Sequence, residues 1–227
     1  MNMQTLKRPQ AMIFDLDGTL FQTETLLIPT FERTFETLRA EGKYEGDTPP
    51  VERMIQNLGQ LLKDIWEDVM PGASPELVQE VDHQFLKEEL EGLARGEGQL
   101  YPDVAEVMQQ LKEAGVDLYI ASNGLEPYVK GVLDKKGLTP WLDGIYSAGE
   151  FRTASKVELV QLLLKRHHLT EAWMVGDRSS DVEAGHANQL PVIGCAYAGF
   201  GDHTEIADAD VKITEFRTLL ELYQQAE

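Results

Sequence analysis

Two carboxylates separated by a single residue close the first apolar run of the chain, Ala11-Met12-Ile13-Phe14-Asp15-Leu16-Asp17-Gly18-Thr19-Leu20. Side chains of an extended strand repeat with period two, so Asp15 and Asp17 address one small volume if the extended conformation continues that far. Paired acids can divide nucleophilic, acid-base and cation-binding work, because close carboxylates do not ionise alike. Asp and Gly also end strands in ordinary turns, so the tetrapeptide alone does not separate a site from a turn. Other polar groups at the ends of apolar runs bear on that choice: Ser122-Asn123-Gly124, Asp177 with Asp181 four residues on, and Lys156 at the head of a helical stretch.

The chemistry that such a cluster suits is phosphoryl transfer. Phosphate monoester hydrolysis is among the slowest uncatalysed reactions, with enzymatic accelerations of up to about 10²¹-fold, and an anionic nucleophile must approach an anionic phosphate. Two unit charges about 4 Å apart interact by roughly 4 kcal/mol at an effective dielectric near 20, so clustered aspartates beside a phosphate dianion require compensation. A divalent cation supplies it. Magnesium suits carboxylate, carbonyl and water oxygens, and no His or Cys spacing in the chain offers a zinc alternative.

The elements that must position these residues can be read from hydrophobic period. Met12 to Phe14 read as a strand buried on both faces. From about Gln22 to Gly98 the chain carries helical periodicity and no strand-like run. Leu26, Leu27, Phe31, Phe35 and Leu38 form one stripe; Leu58, Leu61, Leu62, Ile65 and Trp66 a second; Leu77, Val81, Phe85, Leu86, Leu90 and Leu93 a third, with Ser74 as its cap and Gly92 to Gly98 as a return hinge. After Pro102 strand and helix alternate. Strands are expected at Val116–Ala121, Gly144–Ala148, Ala172–Gly176, Pro191–Ala198 and Val211–Ile213, with helices at Val104–Ala114, Glu126–Lys136, Lys156–His167, Asp181–Asn188 and Phe216–Tyr223. This alternation predicts an α/β fold, a Rossmann-like parallel sheet with helices on both faces and an inserted all-helical segment. In such sheets ligands bind beyond the carboxyl ends of the strands, where the polar punctuation falls.

Composition sets the outer limits. The chain has 227 residues, 42% of them hydrophobic, enough to bury a sizeable core. Its net charge of −19 argues against non-specific affinity for nucleic acid or anionic membranes. One cysteine, Cys195, excludes an intramolecular disulfide and reads as a buried thiol. No apolar stretch approaches membrane-spanning length and Met1 to Gln10 lack the apolar core of a secretion signal, so a cytoplasmic protein is expected.

Taken together, these motifs resemble the haloacid dehalogenase-like hydrolase superfamily, specifically its magnesium-dependent phosphatases with a helical cap inserted after the first motif. Asp15-Leu16-Asp17-Gly18-Thr19 matches the first motif, Ser122 the second, Lys156 the third, and Gly176-Asp177 with Asp181 the fourth. Within the superfamily, Val175-Gly176-Asp177-Arg178, Ile193-Gly194 and Gly199-Phe200-Gly201 are similar to phosphoglycolate phosphatase-like proteins. Leu58-Gly59-Gln60-Leu61 looks like their cap loop. The prolines that often follow the third-motif lysine are missing from Thr153 to Glu158. The resemblance implies a core of residues 1–21 and 99–227 and a cap of residues 22–98. It implies Asp15 as nucleophile and metal ligand, and Asp17 as acid, base and, through its carbonyl, metal ligand. Asp177 and Asp181 complete the Mg²⁺ site; Ser122 and Lys156 are catalytic. Leu16, Gly59, Ser122, Asn123 and Lys156 bind substrate or phosphate. The expected partner is a small phosphorylated metabolite, with oligomeric state open. Two alternatives stand beside the phosphatase: a phosphosugar mutase, which Thr19 after Asp-Gly mildly disfavours, and a non-catalytic phosphometabolite-binding protein. Arg33, Arg53 and Lys63 are cap cations that either recognise an acidic leaving group or are simply solvated.

Overall fold

The computed structural model describes residues 6–58, 60, 62–199 and 203–227, with backbone only at 62, 63 and 203. Its centre is β1 (Ala11–Phe14), four consecutive apolar residues each fully buried, because a parallel strand covered on both faces has no polar side to present. β4 (Asp117–Ser122) and β6 (Ala172–Gly176) flank it, and β5 (Gly144–Ser147), β7 (Val192–Cys195) and β8 (Val211–Ile213) extend the parallel sheet in the order β5-β4-β1-β6-β7-β8. The strand order reverses at β1, the position at which doubly wound sheets open a crevice.

Period two decides what packs on each face. Met12 and Phe14 belong to an apolar cluster with α5 (Val104–Glu113), α6 (Glu126–Lys135) and α10 (Thr218–Gln225). Ala11 and Ile13 point the other way, into a cluster with α8 (Lys156–His167) and α9 (Ser179–Ala187). A short helix, α7 (Ala148–Phe151), follows β5 directly. Cys195 is a buried free thiol.

Between Gln22 and Gln99 the described residues form four helices: α1 (Glu24–Ala40), α2 (Val51–Gln56), α3 (Leu62–Val69) and α4 (Pro75–Ala94). They share a core of their own around Phe31, Phe35, Trp66 and Phe85, in which the Trp66 and Phe85 rings meet edge to face at 5.6 Å. Ser74 caps α4 as expected, its hydroxyl accepting from the Leu77 amide at 3.2 Å. The stripe from Leu58 to Trp66 is not one helix, however. Leu58 lies in the turn after α2 and helix resumes only at Leu62, so the apolar spacing records packing into a shared core and not a continuous helical period. Gly92 also lies inside α4, and the return to the sheet begins only after Ala94.

A second two-stranded element was invisible to periodicity because it is so short. β2 (Phe21–Gln22) and β3 (Gln99–Leu100) pair antiparallel, Phe21 opposite Leu100, and tie together the two chain segments that enter and leave the helices. Gly98, directly before β3, has φ +78°, with the Phe21 ring where a β-carbon would sit. No helix among the described residues is long and apolar enough to cross a membrane.

The cap of α4 gives a direct test of local structure. Ser74→Ala removes the hydroxyl acceptor for the Leu77 amide and is expected to lower stability by about 1 kcal/mol, with the denaturant m-value unchanged, in a urea unfolding titration.

Candidate active site

The site is built from the carboxyl ends of β1, β4 and β6 and the first turn of α8. Asp15 follows β1 and stays in register, its amide donating to the Val175 carbonyl at 2.9 Å. Its side chain continues the phase of Ala11 and Ile13, toward the face covered by α8. There Lys156, the first residue of α8, donates to Asp15 Oδ1 at 2.7 Å and to Asp181 Oδ1 at 2.6 Å, with all three groups buried. Asp181 occupies the first turn of α9, where its Oδ2 accepts from the Arg178 amide at 3.0 Å and caps the helix. Asp177, at the end of β6, accepts from the Thr19 hydroxyl at 2.9 Å.

One carboxylate oxygen from each of Asp15, Asp177 and Asp181 falls within 4.8 Å of the others. Asp15 Oδ2 is buried and has no hydrogen-bond partner. Two glycines make this convergence possible. Gly18 has φ +82° and a β-carbon there would overlap the Asp177 carboxylate; at Gly176 it would overlap Asp181.

Asp17 is handled differently. Pairing with the neighbouring strand ends at Asp15, and the chain folds back so that the amides of Leu20 and Phe21 both donate to the Leu16 carbonyl, at 2.9 and 3.0 Å. The Asp17 carboxylate therefore turns toward the opposite face of the sheet, where Tyr128 on α6 donates to Oδ1 at 2.6 Å and Thr23 donates to the same oxygen at 2.7 Å. Asp15 and Asp17 still line one cavity of about 70 Å³, together with Ser122, Asn123, Gly124 and side chains of the helical segment. Ser122 Oγ accepts from the Gly124 amide at 3.1 Å, which leaves its proton to donate outward.

Burial pushes the Asp15 carboxyl up to about 7 against the pull of Lys156, with the charges of Asp181 and Asp17 adding to the rise. Burial likewise lifts Asp17, opposed by the Tyr128 and Thr23 hydrogen bonds, and holds Asp177 well above the carboxylate range, reinforced by Asp15 and Asp181. For Lys156 burial acts downward, but the two facing carboxylates outweigh it and the ammonium is held above its ordinary value. The centre thus carries more negative charge than one lysine balances, a donor set of hard oxygens suited to a small divalent cation.

Of the residues singled out from sequence, Asp15, Asp177, Asp181 and Lys156 meet directly. Asp17, Ser122 and Asn123 line the adjoining cavity, and Leu16 is buried in the core beneath it. Gly59, Leu61, Phe200 and Gly201 lie outside the described residues, as does the Lys63 side chain. Arg33 is engaged by Glu97 at 2.7 Å and Glu88 at 3.3 Å, and Arg53 reaches the Asp68 carbonyl. Arg178 is buried, ion-pairs with Glu205 at 3.0 Å, and donates to the Gln56 and Leu58 carbonyls. Thr19, Thr23, Tyr128 and Arg178 were not legible as site residues: hydroxyls and an arginine carry no spacing signal until the fold brings them to a carboxylate or a loop carbonyl.

A switch-point crevice in a doubly wound sheet, lined by acids that follow two strands and open one helix and by a helix-borne lysine, is a site of α/β enzymes, here with an acid group that could hold a metal ion. A family model described as haloacid dehalogenase-like hydrolase matches residues 9–188. Phosphoglycolate phosphatase of Aquifex aeolicus is 28% identical over 179 residues, 78% of this chain and 79% of that protein. Pyrophosphatase PpaX of Listeria monocytogenes is 24% identical over 220 residues, 95% and 97% of the two chains. Among solved structures, CbbY from Rhodobacter sphaeroides in complex with phosphate superposes with a TM-score of 0.76 at 24% identity, covering 93% of this chain and 96% of that one. The chain belongs to the haloacid dehalogenase-like hydrolases, and among them it is a phosphatase.

The raised carboxyl groups fix the sign of a pH effect. Between the ordinary value of 3.8 and about 7 the folded chain holds a proton on Asp15 that the unfolded chain releases. The stability due to that proton is fully present below 3.8 and is lost as pH rises through 7. In EDTA, thermal stability is expected to fall from pH 5 to pH 8, and Asp177→Asn, which removes one of the repelling carboxylates, is expected to flatten that fall. Melting curves across the range check it.

Proposed function

We propose that the chain is a magnesium-dependent phosphatase that hydrolyses a small phosphorylated metabolite through an aspartyl-phosphate on Asp15. The observation that carries this reading is the buried, unpartnered Oδ2 of Asp15 inside a group of three carboxylates faced by one lysine. Asp15, Asp177 and Asp181 would hold the cation with side-chain oxygens and Asp17 with its carbonyl. When bound, magnesium offsets the charge of the acids and of the phosphate and polarises a phosphoryl oxygen.

The remaining steps belong to the chain's own groups. Lys156 holds Asp15 by one oxygen, leaving the other to attack phosphorus; the new Asp15 O–P bond forms as the ester P–O bond breaks. Asp17, whose carboxyl is raised by burial and aimed by Tyr128 and Thr23, gives its proton to the departing alkoxide. Water then attacks the aspartyl-phosphate while Asp17 takes up its proton, releasing inorganic phosphate and restoring Asp15. Ser122 and Lys156 donate to the phosphate oxygens, in a crevice from which bulk water is held back by the helical wall. Residues 1–21 and 99–227 form the catalytic core on this reading, and residues 22–98 a cap that pivots on its two linkers.

Phosphate release from a panel of phosphorylated metabolites, with and without EDTA, tests the proposal. Activity is expected to require magnesium and to fall to background in Asp15→Asn. In Asp17→Asn, release from alkyl phosphates is expected to drop by about 10²–10⁴-fold, while p-nitrophenyl phosphate, whose leaving group needs no proton, leaves a hydroxylamine-sensitive phosphate on the chain. An Asp15→Asn variant that matches the parent rate overturns the nucleophile assignment.

A further inference from the structure

The wall of the cavity facing Asp17 is drawn from the segment between the two linkers: Leu27, Met54, Leu58, Ile65 and Phe85 are apolar, and Thr23 and Gln60 are polar but neutral. Glu89, near the end of α4, is the one ionisable group that the described residues of this wall contribute. It is 8% exposed and belongs to no ion pair or hydrogen bond among the described residues, although it lies close enough to Asp17, Asp82 and Tyr128 to interact with their charges. No Lys, Arg or His among the described residues lines the cavity. The cap arginines are committed elsewhere, Arg33 to Glu88 and Glu97, and Arg53 to a carbonyl of its own segment. Lys156 is held below, between Asp15 and Asp181.

A phosphoryl group seated on Asp15 leaves its departing half against this wall, next to Asp17. We propose that the leaving group is a small alcohol without negative charge, carrying a hydroxyl or ammonium donor that Glu89 accepts, and that Glu89 is the residue that selects it. The inference rests on the phosphatase reading and narrows its substrate class. It parts from the substrates in the relatives' names, since phosphoglycolate and pyrophosphate both present an anion where the described residues of this wall offer a carboxyl, two neutral polar side chains and hydrocarbon but no cation. Burial, reinforced by Asp17 and Asp82, raises the Glu89 carboxyl above its ordinary value, and a hydroxyl or ammonium brought beside it supplies the hydrogen-bond partner that the described residues do not.

Three phosphomonoesters of nearly equal size separate the possibilities: 2-hydroxyethyl phosphate, phosphoethanolamine and phosphoglycolate, neutral, cationic and anionic at the leaving end. With magnesium present, the first two are expected to exceed phosphoglycolate in kcat/KM by on the order of 10- to 100-fold, the range of discrimination that one unmatched polar contact provides. Glu89→Gln is expected to lower kcat/KM for phosphoethanolamine while sparing p-nitrophenyl phosphate, and Glu89→Lys to raise phosphoglycolate above the other two. A parent enzyme that prefers phosphoglycolate, with that preference lost in Lys63→Ala or not, overturns the inference, and so does a Glu89→Gln variant with unchanged selectivity. Absence of phosphate release from all three esters and from p-nitrophenyl phosphate overturns the phosphatase reading and this inference with it.

Discussion

The contact on which the molecule turns is that of Lys156 with Asp15 and Asp181. An ammonium and two carboxylates removed from water are tolerated only because each faces an opposite charge at hydrogen-bond distance, 2.7 and 2.6 Å. The contact joins the end of β1 to the starts of α8 and α9, elements far apart in sequence, and it fixes which oxygen of Asp15 is held and which is left open. The adjacent Asp177 has no lysine of its own and depends on a hydroxyl from Thr19, so the centre is left short of positive charge on one side.

A division between two acids follows from where a strand stops. Had extended backbone continued past Asp15, Asp17 would have faced the same lysine. The turn closed on the Leu16 carbonyl sends it to the opposite face, to Tyr128 and Thr23. One acid thereby sits with an ammonium and the other with two neutral hydroxyls, and burial raises both carboxyls against different opposing partners, Lys156 for Asp15 and the Tyr128 and Thr23 hydroxyls for Asp17. Two carboxylates of identical chemistry acquire different characters from the helices behind them.

The sheet and its helices were legible because their signals are long and periodic. Ala172–Gly176, Val211–Ile213 and Lys156–His167 lie where the apolar runs place them. The convergence of Asp15, Asp177, Asp181 and Lys156 was legible as well, since each stands at the end of a strand or the start of a helix and parallel topology brings those ends together. What escaped was short or depended on a partner. The β2–β3 ribbon has two residues per strand, α2 has too few turns to show a stripe, and Leu58 shares a stripe with α3 without sharing its helix. Glu89 stands in Lys87-Glu88-Glu89-Leu90-Glu91, where an acid among acids looks like the solvent side of an amphipathic helix until the cavity is seen beyond it.

The β2–β3 ribbon carries a consequence for how the helices are attached to the sheet. Because the outgoing and returning chains are stitched side by side by Phe21 and Leu100, everything strung between those residues hangs from one narrow doorway, and the central sheet contributes no strand to it. A change of length among those helices therefore has a route to leave the pairing of Phe21 with Leu100, and the register of the sheet beneath it, as they are.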